Sequence, residues 1–464
     1  MKTKNRKTRF GMVLLLGLAA CNNNPNNMKQ ESVTLVTVAP GHFHASLVQK
    51  SMYPAVNDTA YVYAPEGGEL DAHLALIEQY NTRSDRPTNW HEVVYTGADF
   101  MEKMLGERKG NVVVLAGNNQ YKMDYISQSV DAGLNVLADK PMIIRHADFP
   151  RLREAFAKAK EQRVWLYDIM TERCEINTLL QKELSQLPEF FGGLVTGDPE
   201  HPAITKESVH HFFKEVSGKP LIRPAWFYDT RQQGEGLVDV TTHLVDLVQW
   251  ESFPETAIDY ESEVEIVNAK RWPTRISAAQ FSQSTGLSAF PEYLNESVQD
   301  GSLPVFANGE INYTLKGIHA KVSVIWNFEA PAGAGDTHYS IMRGRYANLI
   351  IKQGEAEQYK PVLYVQPTEE RDRPSFEQAL ADAVNQLGER YSGLAYEPLP
   401  DGLYRISVDP SLVTSHEAHF AQVTEKYLSF IQSGTMPDWE VPNMLAKYYV
   451  TTRALELAET VAAR

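Results

Sequence analysis

The fold is decided by the stretch NVVVLAGNNQYKMDYISQSVDAGLNVLADKPM, which covers residues 111–142. It opens with an apolar, β-branched run that closes in a Gly-Asn-Asn turn, a pattern that predicts a buried strand. Residues 121–132 predict a helix that Gly133 ends, and residues 135–138 predict a second strand. A strand, a helix and a strand at this spacing form a βαβ unit, so the sheet is predicted to be parallel. Ligands bind such sheets at the carboxyl ends of the strands, where Lys140 follows.

A second informative stretch is GEGLVDVTTHLVDLVQW, which covers residues 234–250. Its apolar residues recur at helical spacing and predict a helix that contains Asp239, His243 and Asp246. Asp239 and His243 are four residues apart and therefore lie on one face of the helix. A carboxylate one turn from an imidazole fixes its tautomer and raises its basicity, as a general base requires. The alternative is a buried helix whose aspartate caps the first turn and whose histidine is satisfied in the core.

Together the two stretches resemble the Gfo/Idh/MocA family of NAD(P)-dependent sugar and polyol oxidoreductases. The resemblance lies in a strand-terminal Asp-Lys-Pro that is followed by Gly-x-Gly-x-x-Asp-x-x-x-His-x-x-Asp. The usual family form of the first motif is Glu-Lys-Pro, so Asp139 replaces a glutamate. The residues that carry the resemblance are Gly41, Asn119, Asp139, Lys140, Pro141, Arg173, Gly234, Gly236, Asp239, His243 and Asp246.

The resemblance implies an α/β chain with two domains. The first is a Rossmann-type, NAD(P)-binding domain with a parallel sheet, which we expect over residues 32–165. The second is an α+β domain with a large, mostly antiparallel sheet, which we expect over residues 166–464. Alternating, β-branched segments between residues 264 and 352 predict strands of that second sheet. In the family this sheet often forms an oligomer interface, so the resemblance also implies a homo-oligomer.

The resemblance assigns roles to single residues as well. Lys140, Asp239 and His243 are implied to be catalytic and to contact the substrate. His243, oriented by Asp239, takes a proton from a ring hydroxyl, while Lys140 stabilises the charge that develops on the oxygen. Trp226 suits stacking against a pyranose ring, with a place in the core as the alternative. The implied cofactor-binding residues are Gly41, His42, Phe43, Glu66, Asn119, Asp139, Lys140, Pro141 and Arg173.

The first strand and turn depart from the glycine motif of dinucleotide-binding folds. Residues 32–40 predict the strand, and Gly41 keeps the middle glycine, which lets the backbone approach a pyrophosphate. His44 stands at the third glycine position, where it is bulky for close packing of helix and strand. His42 and His44 either reach a phosphate or the substrate, or they cap and pack the start of the helix. Glu66 lies 25 residues after Gly41, where a carboxylate binds ribose hydroxyls and favours NAD over NADP.

Several other polar residues leave more than one interpretation open. Lys122 stands where the family commonly has a histidine, and it contacts either the substrate or the solvent. His210 and His211 are candidates to line a sugar site, although neighbouring histidines point in different directions. His416 and His419 belong to His-Glu-Ala-His, which is not the metal-binding His-Glu-x-x-His. We therefore expect no metal site.

Residues 1–21 are typical of a bacterial lipoprotein leader. A basic segment precedes an apolar one that is too short to span a bilayer, and small residues precede Cys21 as in a lipobox. We expect Cys21 to be lipidated and residues 22–31 to form a flexible tether. The leader thus predicts an exported protein, anchored by lipid to the membrane and facing the periplasm or the cell surface. The chain has one other cysteine, Cys174, so no disulfide framework is expected.

The composition excludes one class of partner. Of the 464 residues, 44 are basic and 59 are acidic, which gives a net charge of −15. An acidic balance without basic clusters argues against nucleic-acid binding. The family resemblance implies a sugar or glycoside as the partner.

Three functions are consistent with these features. The first is an NAD(P)-dependent oxidoreductase that acts on a sugar, polyol or glycoside. Because free NAD(H) is not expected outside the cytoplasm, the cofactor is expected to be tightly bound. Tight binding makes a second function attractive, in which bound NAD transiently oxidises a sugar so that a glycosidic bond is eliminated. The third is a cofactor-free carbohydrate-binding surface lipoprotein, which the altered glycine motif favours and the intact Lys140, Asp239 and His243 disfavour.

Overall fold

Six strands form the first sheet. They are β1 (Leu35–Val38), β2 (Thr59–Ala64), β3 (His91–Thr96), β4 (Val112–Leu115), β5 (Asn135–Asp139) and β6 (Leu166–Ile169). Their order is β3-β2-β1-β4-β5-β6, and each neighbouring pair is parallel. The predicted Rossmann-type parallel sheet is confirmed. The strand order reverses between β1 and β4, which is where sheets of this kind bind ligands.

The computed structural model describes residues 32–216 and 219–462. The predicted leader over residues 1–21, its lipidation site Cys21 and the tether over residues 22–31 lie outside this range. From Ser32 onward the chain forms one compact unit. None of the described helices is both long and apolar enough to cross a bilayer.

Six helices connect or follow these strands. They are α1 (His44–Leu47), α2 (Gly68–Thr82), α3 (Phe100–Glu107), α4 (Lys122–Asp131), α5 (Phe149–Gln162) and α6 (Ile176–Ser185). The helix after Gly41 covers four residues only. The helix after β4 ends as predicted, because Gly133 has a φ of +75°, a backbone conformation that glycine adopts at little cost.

Nine strands form the second sheet, and two short strands pair on their own. The strands are β7 (Ile204–Phe213), β8 (Glu215–Val216), β9 (Lys219–Pro220), β10 (Val264–Ser277), β11 (Ser302–Leu315), β12 (Ile318–Glu329), β13 (Thr337–Arg343), β14 (Ala347–Gln353), β15 (Val362–Pro367), β16 (Ala395–Pro398) and β17 (Tyr404–Ser407). The large sheet has the order β10-β11-β12-β7-β13-β14-β15-β17-β16, while β8 pairs with β9. Only its β12–β7 pair is parallel. The predicted large, mostly antiparallel sheet is confirmed.

The remaining helices include two that return to the first sheet. They are α7 (Pro188–Phe191), α8 (Thr230–Gln233), α9 (Thr241–Ser252), α10 (Tyr260–Glu263), α11 (Ala278–Thr285), α12 (Arg373–Gly388), α13 (His416–Ser433) and α14 (Glu440–Ala462). Phe420 and Tyr427 of α13 and Tyr448 of α14 are buried in the same apolar cluster as β1, β4 and β5. Strand β6 lies beyond residue 165, where the first domain is predicted to end, and α13 and α14 pack on the core of the first sheet.

Buried ion pairs attach α9 to the first sheet. Asp246 accepts hydrogen bonds from Arg173 at 2.6 and 2.7 Å and from Lys447 at 2.9 Å. Lys447 lies 2.7 Å from Asp168 of β6, and Arg173 also donates to Glu440 at 3.2 Å. Burial works to raise the pKa of Asp246, but the neighbouring cations hold it below its usual range. These side chains are all buried, so a charge that lost its partner there would be costly.

We expect Asp246→Asn to lower the free energy of unfolding by about 3–5 kcal/mol, because Arg173 and Lys447 would lose their shared counter-charge in a buried site. The contribution of Asp246 is present above the pKa of the unfolded state and is lost as the pH falls through its lowered folded pKa. Denaturant unfolding at neutral pH measures the loss. The control is Asp382→Asn on the exposed side of α12, for which a change within about 0.5 kcal/mol is expected. A loss below about 1 kcal/mol in Asp246→Asn would contradict this role.

Candidate functional site

An ion pair joins the two stretches that suggested a site. Lys140 directly follows β5, and its Nζ donates to Oδ1 of Asp239 at 2.6 Å. Both side chains are largely buried, at 11% and 9% exposed. Asp239 lies in the turn before α9, whose first residue is Thr241, so the predicted helix starts later than expected. Two residues that are 99 positions apart thus meet at the carboxyl end of the parallel sheet.

His243 lies on the first turn of α9, but Asp239 does not orient it as predicted. The carboxylate of Asp239 is directed at the ammonium of Lys140, because a full opposite charge attracts it more strongly than a neutral ring. Nδ1 of His243 is buried and has no hydrogen-bond partner among the described residues. Burial, followed by the charge of Lys140, holds the pKa of His243 well below its usual range. At neutral pH the ring is therefore uncharged and able to accept a proton.

The turn after β1 brings two pieces of backbone into close contact. The N–H groups of Gly41 and His42 both donate to the carbonyl of Ala116 at 3.1 Å. A Cβ at Gly41 would lie 2.6 Å from Oε2 of Glu69 and 3.3 Å from Cα of Gly117. A Cβ at Gly117 would lie 2.4 Å from the carbonyl oxygen of Ala39. Only glycines allow this approach of the turn after β1 to the turn after β4.

The histidines of this turn gather at the end of β5. Nδ1 of His44 lies 2.9 Å from Oδ2 of Asp139, and the rings of His42 and His44 meet edge to face at 4.0 Å. The ring of His416 on α13 lies 5.7 Å from that of His44. Burial and the neighbouring His44 lower the pKa of His42 well below its usual value. Burial opposes ionisation of Asp139, but the nearby His44 and cations hold the pKa of that carboxyl below its usual range. Phe43 points outward and is 40% exposed.

Asn119 and Lys122 form a bridge between the two halves of the chain. Nδ2 of Asn119 donates to the carbonyl of Gln233 at 2.7 Å. Nζ of Lys122 donates to Oδ1 of Asn119 at 2.6 Å and to the carbonyl of Asp139 at 2.8 Å. Lys122 is fully enclosed, and burial lowers its pKa to about 8. The lysine thus faces the protein interior, which neither of the two alternatives from the sequence describes.

Glu66 and Trp226 differ in their exposure to solvent. Glu66 is exposed just beyond β2, as expected of a residue that contacts ribose hydroxyls. Trp226 is buried, and its Nε1 donates to Oε1 of Glu69 at 2.6 Å. Its ring belongs to the apolar cluster between Phe212 and Trp326, so the alternative of a core position describes it better than an open stacking platform.

Arg173, which is predicted to bind the cofactor, is paired within the protein. Its guanidinium is taken up by Asp246 and Glu440 in the buried ion network. Both partners are far away in sequence, so the motif match alone gave no sign of them.

The sequence did not indicate a second group of residues beside Asp239. A small pocket next to Asp239 is lined by aromatic side chains of β7, β12 and the segment before α8: Phe212, Phe227 and Trp326. Arg223 lies over the rings of Phe227 and Trp326 at 4.4 and 5.2 Å. The alternation of apolar and polar residues along β7 and β12 is the sequence signal that could have predicted Phe212 and Trp326 on one face of the sheet.

His210 and His211 do not line this pocket with free rings. Their Nδ1 atoms lie 3.3 and 3.0 Å from the two carboxylate oxygens of Asp336, and Lys214 donates to the same carboxylate at 2.7 Å. The two histidines therefore share one acidic partner, although they are adjacent on a strand.

Comparison with known structures supports an oxidoreductase. An oxidoreductase of unassigned activity from Parabacteroides merdae has 51% sequence identity and a TM-score of 0.91, over 93% of this chain and 98% of its own. Levoglucosan dehydrogenase in complex with NADH and levoglucosan has 11% identity and a TM-score of 0.59, over 93% and 98%. A 3-ketoreductase from Actinomadura kijaniata in complex with NADP and TDP-benzene has 12% identity and a TM-score of 0.55, over 92% and 98%. The last two share the fold. No curated protein matches the chain.

Residues 180–459 match the family model described as "Putative oxidoreductase C terminal domain". The match covers more than half of the chain, and the Parabacteroides merdae protein extends the similarity over the first sheet. The chain therefore belongs to this oxidoreductase family, and it shares its two-domain fold with levoglucosan dehydrogenase.

Proposed function

We propose that the protein is an NAD(P)-dependent oxidoreductase that oxidises a hydroxyl-bearing carbon of a sugar, polyol or glycoside. One observation carries the proposal. The ion pair of Lys140 and Asp239 lies at the carboxyl end of the parallel sheet, on the same side as the neutral ring of His243. A fixed cation and an uncharged base are the two groups that removal of a proton from a hydroxyl requires.

The residues at the strand ends fit a dinucleotide. Gly41 and Gly117 let the turns after β1 and β4 approach each other closely, and Glu66 offers an exposed carboxylate beyond β2. The residues that we propose to hold the cofactor are Gly41, His42, Phe43, Glu66, Asn119, Asp139, Lys140 and Pro141. When bound, a nicotinamide accepts the hydride that leaves the substrate carbon. The carboxylate at position 66 favours NAD over NADP, because it would repel a 2′-phosphate.

The chain's own residues handle the proton. His243 accepts the hydroxyl proton of the substrate, since its unprotonated ring is available at neutral pH. Lys140 holds the substrate oxygen and stabilises the negative charge that develops there. Asp239 keeps the ammonium of Lys140 in place through the 2.6 Å hydrogen bond. Burial of this pair excludes water and strengthens its electrostatic effect.

Relatives in fold support a sugar as the substrate. They include a levoglucosan dehydrogenase in complex with NADH and levoglucosan and a 3-ketoreductase in complex with NADP and TDP-benzene. In this chain a small pocket beside Asp239 is lined by Phe212, Phe227 and Trp326.

We expect Lys140→Ala to lower turnover about 10²–10³-fold, because the oxygen of the substrate loses its stabilising charge. Turnover is measured as nicotinamide reduction with a panel of sugars and glycosides. Lys158→Ala on the surface of α5 is the matched control and should retain wild-type turnover. Unfolding curves of both variants verify that the fold is intact. A folded Lys140→Ala variant with wild-type turnover would refute the proposed mechanism.

Glu69 is predicted to oppose cofactor binding. Its Oε2 lies against Gly41, where a pyrophosphate approaches, and burial raises its pKa. Above that pKa the carboxylate repels the phosphates, and below it the repulsion is lost. We therefore expect NAD affinity to increase as the pH falls, and Glu69→Gln to bind NAD about tenfold more tightly at neutral pH with a weaker pH dependence. Calorimetric titration measures both, with Glu78→Gln on the exposed side of α2 as the control. Equal affinity in wild type and Glu69→Gln would show that the carboxylate does not meet the phosphates.

We also propose that the protein is exported and anchored to a membrane by lipid on Cys21. The support is the leader sequence, in which a short apolar segment ends in small residues before the cysteine. Labelling of cells with a fatty-acid analogue should mark the wild-type protein and fail to mark Cys21→Ser. Label on the variant would contradict the anchor.

A further inference from the structure

Three metal-ligating side chains converge at the carboxyl ends of β1 and β5. His42 and His44 belong to the turn after β1, and Asp139 is the last residue of β5. One ligand atom from each of the three lies within 4.8 Å of the others. The histidines are half-buried, while Asp139 is buried. This is the separation at which side chains can share one ion.

The hydrogen bonds of the cluster leave ligand atoms available. Nδ1 of His42 accepts the backbone N–H of His44 at 3.3 Å, and its Nε2 has no hydrogen-bond partner in residues 32–216 and 219–462. Nδ1 of His44 lies 2.9 Å from Oδ2 of Asp139, and its Nε2 has no hydrogen-bond partner among the described residues.

We propose that His42, His44 and Asp139 bind a divalent first-row transition metal ion. Two imidazoles and one carboxylate match the preferences of Zn²⁺, which three protein ligands hold with a coordination position left open for a water or a substrate oxygen. Metal binding does not depend on the proposed oxidation of a sugar, since it needs neither dinucleotide nor substrate.

Nearby positive charge does not prevent binding. The ammonium of Lys140 forms an ion pair with the carboxylate of Asp239 at 2.6 Å. The ammonium of Lys122 donates to Oδ1 of Asn119 and to the backbone carbonyl of Asp139. A divalent cation would meet one carboxylate and two imidazoles.

The test is a titration of the full chain, prepared without a polyhistidine tag and stripped of metal with a chelator. Calorimetry with Zn²⁺ should give one site per chain, and Co²⁺ should develop the visible absorption of a site with low coordination number. We expect His42→Ala and His44→Ala each to weaken Zn²⁺ binding about tenfold or more. His201→Ala removes an exposed histidine outside the cluster and should bind like wild type.

Unfolding curves without metal establish that each variant is folded. If His44→Ala is unfolded because it loses the contact with Asp139, His42→Ala decides the result alone. Absence of one-site Zn²⁺ binding in the wild type would overturn the proposal. So would a folded His42→Ala variant that weakens Zn²⁺ binding less than tenfold, or an equal loss in His201→Ala.

Discussion

The buried carboxylate of Asp246 fixes the helix on which the site depends. It binds Arg173, which follows β6, and Lys447 of α14, so that α9 is held against the first sheet by charges that have no access to water. His243 lies one turn earlier on the same helix, and Asp239 lies just before it. Because the helix cannot shift without separating buried charges, Asp239 is held where it meets Lys140. The same charges attach α14, near the end of the chain, to the first sheet, because Lys447 also pairs with Asp168 of β6.

The turn after β1 shows why the altered glycine motif still forms its strand and turn. Glycine is needed only at Gly41 and Gly117, where the two turns meet backbone to backbone. The third glycine of the motif permits close packing of a helix on its strand, but α1 is only four residues long. His44 instead points towards Asp139, and its ring rests against Phe420 of α13 at 4.6 Å. The side chain of His44 is thus accommodated by its contacts with Asp139 and with α13, at the position where the motif normally has a glycine.

Local patterns predicted the elements of the first sheet well. The β-branched runs became β4 and β5, and Gly133 ended the helix between them. No helix was predicted at α2, which begins at Gly68. Its first turn carries Glu69, so a carboxylate that lies close to Gly41 was missed as well.

Predictions about single side chains depended on distant partners. The pairing of Lys140 with Asp239 was consistent with the motif, but the orientation of His243 was wrong, since spacing alone cannot show that a nearer cation attracts the aspartate. The family resemblance assigned Arg173 to the cofactor. Its partners Asp246 and Glu440 are 73 and 267 residues away, so no local pattern indicated the ion pairs. The packing of α13 and α14 on the first domain was not predicted for the same reason, because a core built from residues at both ends of a chain leaves no local pattern in the sequence.

The proposed function requires that the residues around Lys140 and the glycine turn hold a nicotinamide dinucleotide. Its most direct test is mass spectrometry of the nucleotide released when the purified protein is denatured by heat, followed by titration of the emptied, refolded protein with NAD⁺ and NADP⁺. Our account predicts about one NAD(H) or NADP(H) per chain, or saturable one-site binding of the added dinucleotide. A protein that releases no dinucleotide and binds neither one would contradict it, and a role in carbohydrate binding without a cofactor would then explain the site better.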